Sequence, residues 1–273
     1  MSNTVGIPQA TLDQLDPEYL VFIPSSGKTL QPHFNEFQWA PAFRQSGPLT
    51  DRGNSEPMEV MAPPGERPDR GWPMILYAHR GGWVLGDAGA EDEMLNAQCV
   101  TVSVDYRLAP KHPFPAGLDD VWNALNWLSK EVYQALITPV IDASFSADDR
   151  SWWTPSITEH EDNWDLTVLE MLRFRDLYLP NVHDRTKPDA SPCYQENRLA
   201  FEGMPPTWIS IAEVDTLRSE GEMYAEKLRT YGVSVTLKIL KGLPHTGIKC
   251  DRVCGQVRRH HDELAKALQK AIA

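Results

Sequence analysis

The sequence predicts an α/β protein with a largely parallel β-sheet. Short apolar runs rich in β-branched residues alternate with helical patterns, which is the order that builds parallel strands joined by crossovers. The chain has 273 residues, 41% of them hydrophobic and 23% charged, and this size suits one large core. Polar residues and glycines come after several of the predicted strands, at the edge where such sheets bind ligands.

Composition excludes several classes of partner. The net charge is -12 and the pI is near 5.1, which argues against nucleic acid or anionic membrane because phosphate binding depends on Lys and Arg. No apolar run approaches the roughly 20 residues that a membrane-spanning helix needs. We therefore expect an uncharged or cationic small molecule as the partner, with no nucleic acid and no membrane span.

The sequence also predicts a cytoplasmic protein without a metal site. Residues 1–10 lack the basic and apolar regions of a secretory signal. The four cysteines (Cys99, Cys193, Cys250 and Cys254) are too scattered for a disulfide framework, and we expect thiols. Cys250 and Cys254 precede His260 and His261, but their spacing fits no standard zinc site and the segment has the pattern of one helix.

The predicted elements begin with an N-terminal arm or cap over residues 1–56, and then one domain covers residues 57–273. Residues 59–61 suit a short strand. Residues 74–78 are an apolar run without Gly or Pro, which predicts a buried strand that ends in a glycine loop. Residues 99–106 predict a second buried strand.

Helical spacing from Asp119 to Leu128 predicts the next element, with Asp119 and Asp120 suited to a helix N-terminus. Residues 135–141 are a third apolar run. Residues 144–200 form an insertion that is dense in aromatic residues and typical of a cap or lid. The remaining elements are two strands and two helices: strand 207–215, helix 219–231, strand 234–240 and helix 257–273.

Three chemical groups lie directly after predicted strands: the Gly81-Gly82 loop, Asp215 and His245. Backbone N–H groups beyond a strand can stabilise an oxyanion. An aspartate and then a histidine, each after its own strand, is the order of the last two members of a hydrolase triad. The aspartate would orient the imidazole, and the histidine would act as a general base toward a hydroxyl nucleophile.

Several longer motifs then resemble the hormone-sensitive-lipase-type carboxylesterases of the α/β-hydrolase superfamily (alpha/beta hydrolase fold-3). They occur in the order of that family between about residues 57 and 270, and they are residues 79–83 (His-Arg-Gly-Gly-Trp), 104–115, 119–120, 215–221 and 244–245. The resemblance implies an eight-stranded hydrolase sheet with flanking helices, a helical cap over the site, no cofactor, and hydrolysis of small or medium acyl esters.

The resemblance also assigns roles to individual residues. Gly81 and Gly82 would donate to the oxyanion, Asp215 would be the triad acid and His245 the triad base. Trp83 would line the substrate pocket. Two departures bear on the geometry: Arg80 stands where the family has a glycine, and residues 91–99 are short for the helix expected there.

A third departure removes the nucleophile. The family carries a strand, a Gly-x-Ser-x-Gly elbow and a helix between the helix that ends near Trp127 and the strand that begins near Tyr133. Only residues 129–132 remain, and the chain holds no Gly-x-Ser-x-Gly or Gly-x-Cys-x-Gly. We expect either a contracted sheet, in which the run at residues 135–141 takes the vacated central position, or a sheet that opens.

Substitute nucleophiles are disfavoured. Ser144 and Ser146 would lie just beyond the new central strand, but they lack the glycines of a strained elbow, and Asp142 is a weaker candidate still. Three hypotheses remain: a hydrolase lineage with little or no activity, a non-catalytic small-molecule-binding or scaffold protein lined by Trp83 and the cap aromatics, and an internally deleted form of an ordinary esterase.

Overall fold

The chain divides into two compact units, each described here by itself. The first comprises residues 1–36, 133–172 and 181–264, and the second comprises residues 37–132, 173–180 and 265–273. The computed structural model describes residues 7, 9–25, 58–62, 65, 66, 69, 72, 74–88, 99–127, 133–161 and 163–271. The element order along the described chain alternates strands and helices, so the α/β class is confirmed.

The second unit holds a three-stranded sheet in the order β1-β3-β2. Its strands are β1 (Met58–Met61), β2 (Met74–Ala78) and β3 (Val100–Val104). β2 runs parallel to β3, whereas β1 runs antiparallel to it. The central strand β3 has four buried residues out of five, but none of the residues in β2 is buried. The strand predicted at residues 74–78 is therefore present, and the burial predicted for it is wrong.

Helix α3 (Ala116–Trp127) comes after β3 in the same unit, with a core of Val104, Tyr106 and Ala124 between strand and helix. The loop that joins them is fixed by Arg107, whose guanidinium donates to both carboxylate oxygens of Asp120. Such a two-point ion pair holds both side chains in one geometry. It connects the loop after β3 to the first turns of the helix.

The first unit holds a second three-stranded sheet, in the order β4-β5-β6. Its strands are β4 (Gln134–Ile137), β5 (Thr207–Val214) and β6 (Val235–Pro244), and all are parallel. Central β5 is buried at seven of eight positions. Among the described residues the strands thus form two sheets of three, where the resemblance implied one sheet of eight and the contraction hypothesis placed residues 135–141 in the centre. β4 is an edge strand of its described sheet.

Two helices pack in the first unit beside this sheet. In α6 (Arg218–Thr230), Tyr224, Ala225 and Leu228 share a core with β5. A Cβ at Gly221 would lie 2.4 Å from a methyl of Ile211, so this glycine lets helix and strand approach closely. The last helix, α7 (Gly255–Ala271), begins directly after Cys254. Neither Cys250 nor Cys254 is therefore in this helix, contrary to the single helix expected for the segment.

The N-terminal arm contributes two helices to the first unit. These are α1 (Gln9–Leu12) and α2 (Pro17–Ser25). Leu15 and Tyr19 join a core with Leu243 and Val257. The remaining predictions, for residues 26–57, 91–98 and 128–132, lie outside the described residues.

The cap insertion begins in the first unit with α4 (Pro155–Glu159) and continues into α5 (Val168–Tyr178). Its apolar residues surround Leu217, which lies just beyond β5, and they are Phe145, Ile157, Val168, Met171 and Leu172. This packing places the start of the insertion over the carboxyl end of β5. Across the described residues, no helix is both long and apolar enough to span a bilayer.

Candidate functional site

Asp215 and His245 form a hydrogen-bonded pair in the first unit. His245 Nδ1 lies 2.9 Å from Asp215 Oδ2, and the other carboxylate oxygen accepts the Leu217 N–H at 3.1 Å. The side chain of Asp215 is 1% exposed and that of His245 is 23% exposed. The structure therefore joins the two residues for which the sequence predicted an acid and a base.

The register of the sheet explains why these two side chains meet. β5 and β6 are parallel neighbours, and Val214 pairs with Pro244 beyond a register shift. Asp215 and His245 are the next residues along each strand. Because parallel strands end at the same edge of a sheet, residues separated by 30 positions in sequence become neighbours.

This arrangement suits a general base. A carboxylate at Nδ1 favours the tautomer with its proton on that nitrogen, which leaves Nε2 as the basic atom. The buried negative charge of Asp215 would also stabilise the imidazolium that forms when Nε2 takes a proton. The pair has the geometry that the acid and base of a catalytic triad require.

Two cap residues that the sequence analysis did not single out anchor the loops behind this pair. The carboxylate of Asp165 accepts the N–H and the hydroxyl of Thr246 at 2.6 and 2.8 Å. The amide of Asn163 donates to the carbonyl oxygen of Val214 at 2.6 Å, and its oxygen accepts the Asp165 N–H. One turn of the cap thus holds the residues that flank Asp215 and His245.

Glu220 is a third residue without an assigned role in the sequence, although it lies inside the 215–221 motif. It is 3% exposed, and its Oε2 accepts the N–H groups of Ile141 and Asp142 at 2.9 and 3.0 Å. Burial raises the pKa of this carboxyl to about 8. Glu220 therefore carries a proton at neutral pH and fixes the backbone just beyond β4.

The glycine loop after β2 belongs to the second unit. Gly81 and Gly82 have φ of 135° and 57°, and a Cβ at Gly81 would lie 1.9 Å from the carbonyl oxygen of Leu85. The N–H of Leu85 closes the turn onto the Gly81 carbonyl at 2.9 Å. Within the described part of the chain, neither Gly81 nor Gly82 donates its own N–H. Amides in this state can serve as oxyanion donors.

The residues beside the two glycines carry the conformational cost of the loop. The φ angle of Arg80 is not positive, so the backbone at this position accommodates a Cβ. Trp83 instead adopts φ of 63°, which costs about 1 kcal/mol for a residue with a side chain. Its ring stacks on Tyr178 at 4.8 Å with planes 4° apart, and this contact offsets the strain.

The three candidate substitute nucleophiles after β4 have other partners. The Ser144 hydroxyl lies 2.7 Å from the Tyr194 hydroxyl, and the Ser146 hydroxyl accepts the Asp148 N–H at 3.1 Å. Asp142 accepts the Ser144 N–H at 2.7 Å. These bonds form a turn that leads into the aromatic insertion at residues 144–200.

The cysteine and histidine residues near the C-terminus do not assemble into one cluster. All four cysteines are unpaired thiols. His260 Nε2 lies 3.1 Å from the Ser210 hydroxyl of β5. Within the described residues, the group with metal-ligating atoms closest together is Asp16, Glu18 and Cys254, and both carboxylates there already accept backbone N–H groups.

Comparison with known protein families shows to which family the chain belongs. A family model described as alpha/beta hydrolase fold matches residues 75–133 and 130–248, which is more than half of the chain. The chain belongs to the alpha/beta hydrolase family. The two matched segments of this hydrolase chain meet at residues 130–133, where the sequence analysis places the missing elbow.

Named relatives and solved structures agree with this membership. An AB hydrolase superfamily protein of Schizosaccharomyces pombe is 32% identical over 262 residues, covering 80% of this chain and 75% of that protein. Carboxylesterase NlhH of Mycobacterium tuberculosis is 31% identical, covering 66% of this chain and 67% of that protein. An esterase of Pyrobaculum calidifontis superposes with a TM-score of 0.69 at 28% identity, covering 79% and 82% of the two chains.

The alignments with these relatives also contain positions that have no counterpart in this chain. The alignment with the yeast hydrolase runs over 262 residues but uses 80% of the 273 residues here, about 218, so about 44 aligned positions of the relative face a gap in this chain. The alignment with the mycobacterial carboxylesterase, 224 residues against 66% of the chain, gives the same difference. A strand, an elbow and a helix need about 25 residues, so this number of positions is large enough to contain them.

Proposed function

We propose that this chain comes from a lineage of serine carboxylic-ester hydrolases acting on small or medium acyl esters, and that the chain itself does not turn over esters. The observation that carries the proposal is the buried Asp215–His245 pair in a chain without a nucleophile elbow. Relatives named carboxylesterase or esterase support the substrate class.

In the complete reaction each retained group has a separate task. His245 Nε2 would take the proton of an attacking serine hydroxyl, and Asp215 would stabilise the resulting imidazolium. The amides of Gly81 and Gly82 would donate to the oxyanion of the tetrahedral intermediate. His245 would then protonate the leaving alcohol, and water would release the acyl group by the same steps.

Without a serine at the elbow, the first of these steps has no attacking atom. Loss of the nucleophile leaves, in serine hydrolases, a residual acceleration of only about 10³ to 10⁴ over water. Ser144 and Ser146 do not supply a replacement, since their hydroxyls are engaged in the turn after β4. The pair at the ends of β5 and β6 would therefore lack the elbow serine that it activates in an ordinary esterase.

The abrupt junction favours an internal deletion over gradual loss of the segment. Family-like sequence continues up to residue 133 on one side and resumes at residue 130 on the other. A gradual decay would leave a degraded strand and helix in place of a clean gap. Sequencing the transcript across the codons for residues 129–133 tests this directly, because a longer transcript would show that an ordinary esterase is also made.

The inactivity of the 273-residue chain is tested with a fluorophosphonate probe and a short-chain p-nitrophenyl ester. We expect no single-site labelling and no hydrolysis above that of the variant His245→Ala. Labelling that is strong in the parent and lost in His245→Ala would show a working serine and overturn the proposal. A pocket that still binds apolar esters through Trp83 would instead raise the melting temperature without labelling.

The cellular compartment and the ligand of the protein are also proposed here. We place it in the cytoplasm, where a reducing environment keeps its four unpaired cysteines as thiols. We assign it a small apolar ester or a related molecule as ligand, and no cofactor.

A further inference from the structure

Strand β4 uses one of its two edges in the described sheet. The N–H groups of Gln134 and Thr138 donate to the carbonyl oxygens of Pro206 and Ser210. In a parallel pair alternate residues face the partner, so the N–H and C=O groups of Ala135 and Ile137 point to the opposite edge. No other described strand pairs with that edge.

The residues on this outer edge are those of an interior strand. Ala135, Leu136 and Ile137 are apolar, yet Ala135 is exposed and the other two are partly exposed. Natural edge strands are protected by charged residues, prolines or bulges. The four residues of β4 have none of these protective features.

The comparisons indicate that sequence is missing directly before β4. About 44 aligned positions of the yeast hydrolase have no counterpart in this chain, and the family match divides into two segments at residues 130–133, directly before β4. A segment that enters the fold beside an apolar parallel strand and is long enough for a strand plus a helix is itself expected to supply a parallel strand. The occupant that fits is therefore an extended apolar strand.

We propose that the outer edge of β4 is a docking site for an extended apolar strand of another polypeptide, which adds to the sheet in parallel. The strand would bond to the outward N–H and C=O groups of Ala135 and Ile137. Its side chains would cover Leu136 and the other half-exposed apolar residues of the edge. This proposal concerns the sheet and does not depend on the acid–base pair.

The test uses the full-length chain and a synthetic peptide that carries the segment of the yeast relative facing the gap. We expect saturating peptide to slow hydrogen exchange at the amides of Ala135 and Ile137 at least tenfold. A peptide of the same composition in scrambled order serves as the control. Absence of protection, or equal protection by the scrambled peptide, would overturn the proposal.

Two proline variants of β4 separate docking from folding. Ala135→Pro removes an outward donor and should melt close to the parent while binding the peptide about tenfold more weakly. Leu136→Pro removes a donor to β5 and should lower the melting temperature strongly. Equal peptide affinity of Ala135→Pro and parent would rule out strand addition at this edge.

A second copy of the chain is the competing occupant. Sedimentation of the parent over a range of concentrations detects it, with Ala135→Pro as the matched control. A parent dimer that Ala135→Pro abolishes and that the peptide fails to displace would assign the edge to self-association, and the proposal would be wrong.

Discussion

The two sheets each contain a strand that is buried and a second strand that has a similarly apolar sequence but is not buried. β3 and β5 are central strands and are buried at four of five and seven of eight positions. β2 and β4 have similarly apolar sequences, but no residue of either is buried. Within the described part of the chain, the four strands differ in their number of paired neighbours, which is two for β3 and β5 and one for β2 and β4.

This difference shows that β2 and β4 carry sequences suited to a wider sheet. Strands buried on both faces have continuous apolar runs, whereas edge strands of stable proteins alternate or carry charges. The run Met74–Ala78 and the run Ala135–Ile137 have the first pattern. In chain order, β4 is the first strand after the point where the family match breaks, and β2 lies before that point.

The largest expected effect contrasts isoleucines in a central and an edge strand of the same unit. Ile209 of β5 is 0% exposed, so Ile209→Ala should lower the free energy of unfolding by about 4 kcal/mol. Ile137 of β4 is partly exposed, and Ile137→Ala should cost about 1 kcal/mol because little apolar surface returns to water. Urea unfolding of both variants measures the difference.

Insertion of the missing segment would sharpen that contrast. With the yeast segment placed between Ser129 and Tyr133, the cost of Ile137→Ala should rise toward that of Ile209→Ala, because a new neighbour buries β4. Equal costs in the present chain would show that β4 already has a covered face, and the comparison of central and edge strands would fail.

The next effect concerns pH and a buried histidine that contacts the central strand β5. His260 is 4% exposed beside Ser210 of β5, and burial, together with the neighbouring His261, lowers its pKa to about 4. The unfolded imidazole binds a proton below about pH 6.5, whereas the folded one does not until about pH 4. Stability should therefore fall by about 3 kcal/mol between these values as the pH is lowered.

His260→Gln provides the control for this acid limb, because an amide does not titrate in this range. The difference in unfolding free energy between parent and variant should change with pH from 7 to 4. Glu220 acts with the opposite sign, since its raised pKa means that stability is lost as the pH rises through about 8. Parallel pH curves for parent and His260→Gln would contradict the assignment to His260.

The strand positions and the pairing of Asp215 with His245 were predictable. The strands depend on local apolar runs, and the two paired residues come at the ends of such runs. Burial of β2 was not predictable, since it depends on a neighbouring strand and the sequence of β2 does not say whether one is present. Glu220 and Asp165 were missed for a related reason. Their partners lie about 80 positions away in the chain, and an isolated acidic residue has no sequence signal for a buried anchoring role.

The smallest expected effect concerns the loop after β6 in the first unit. The variants below test whether hydrogen bonds to the cap hold this loop in place. Thr246→Val removes the hydroxyl bond to Asp165, and it should lower the free energy of unfolding by about 1 kcal/mol, measured by urea denaturation. Thr246→Ser keeps the hydroxyl and should cost less. Equal losses would mean that the lost methyl packing matters as much as the bond. In that case the cap would hold this loop by apolar contact, and the position of His245 would depend less on Asp165 than the short hydrogen bonds indicate.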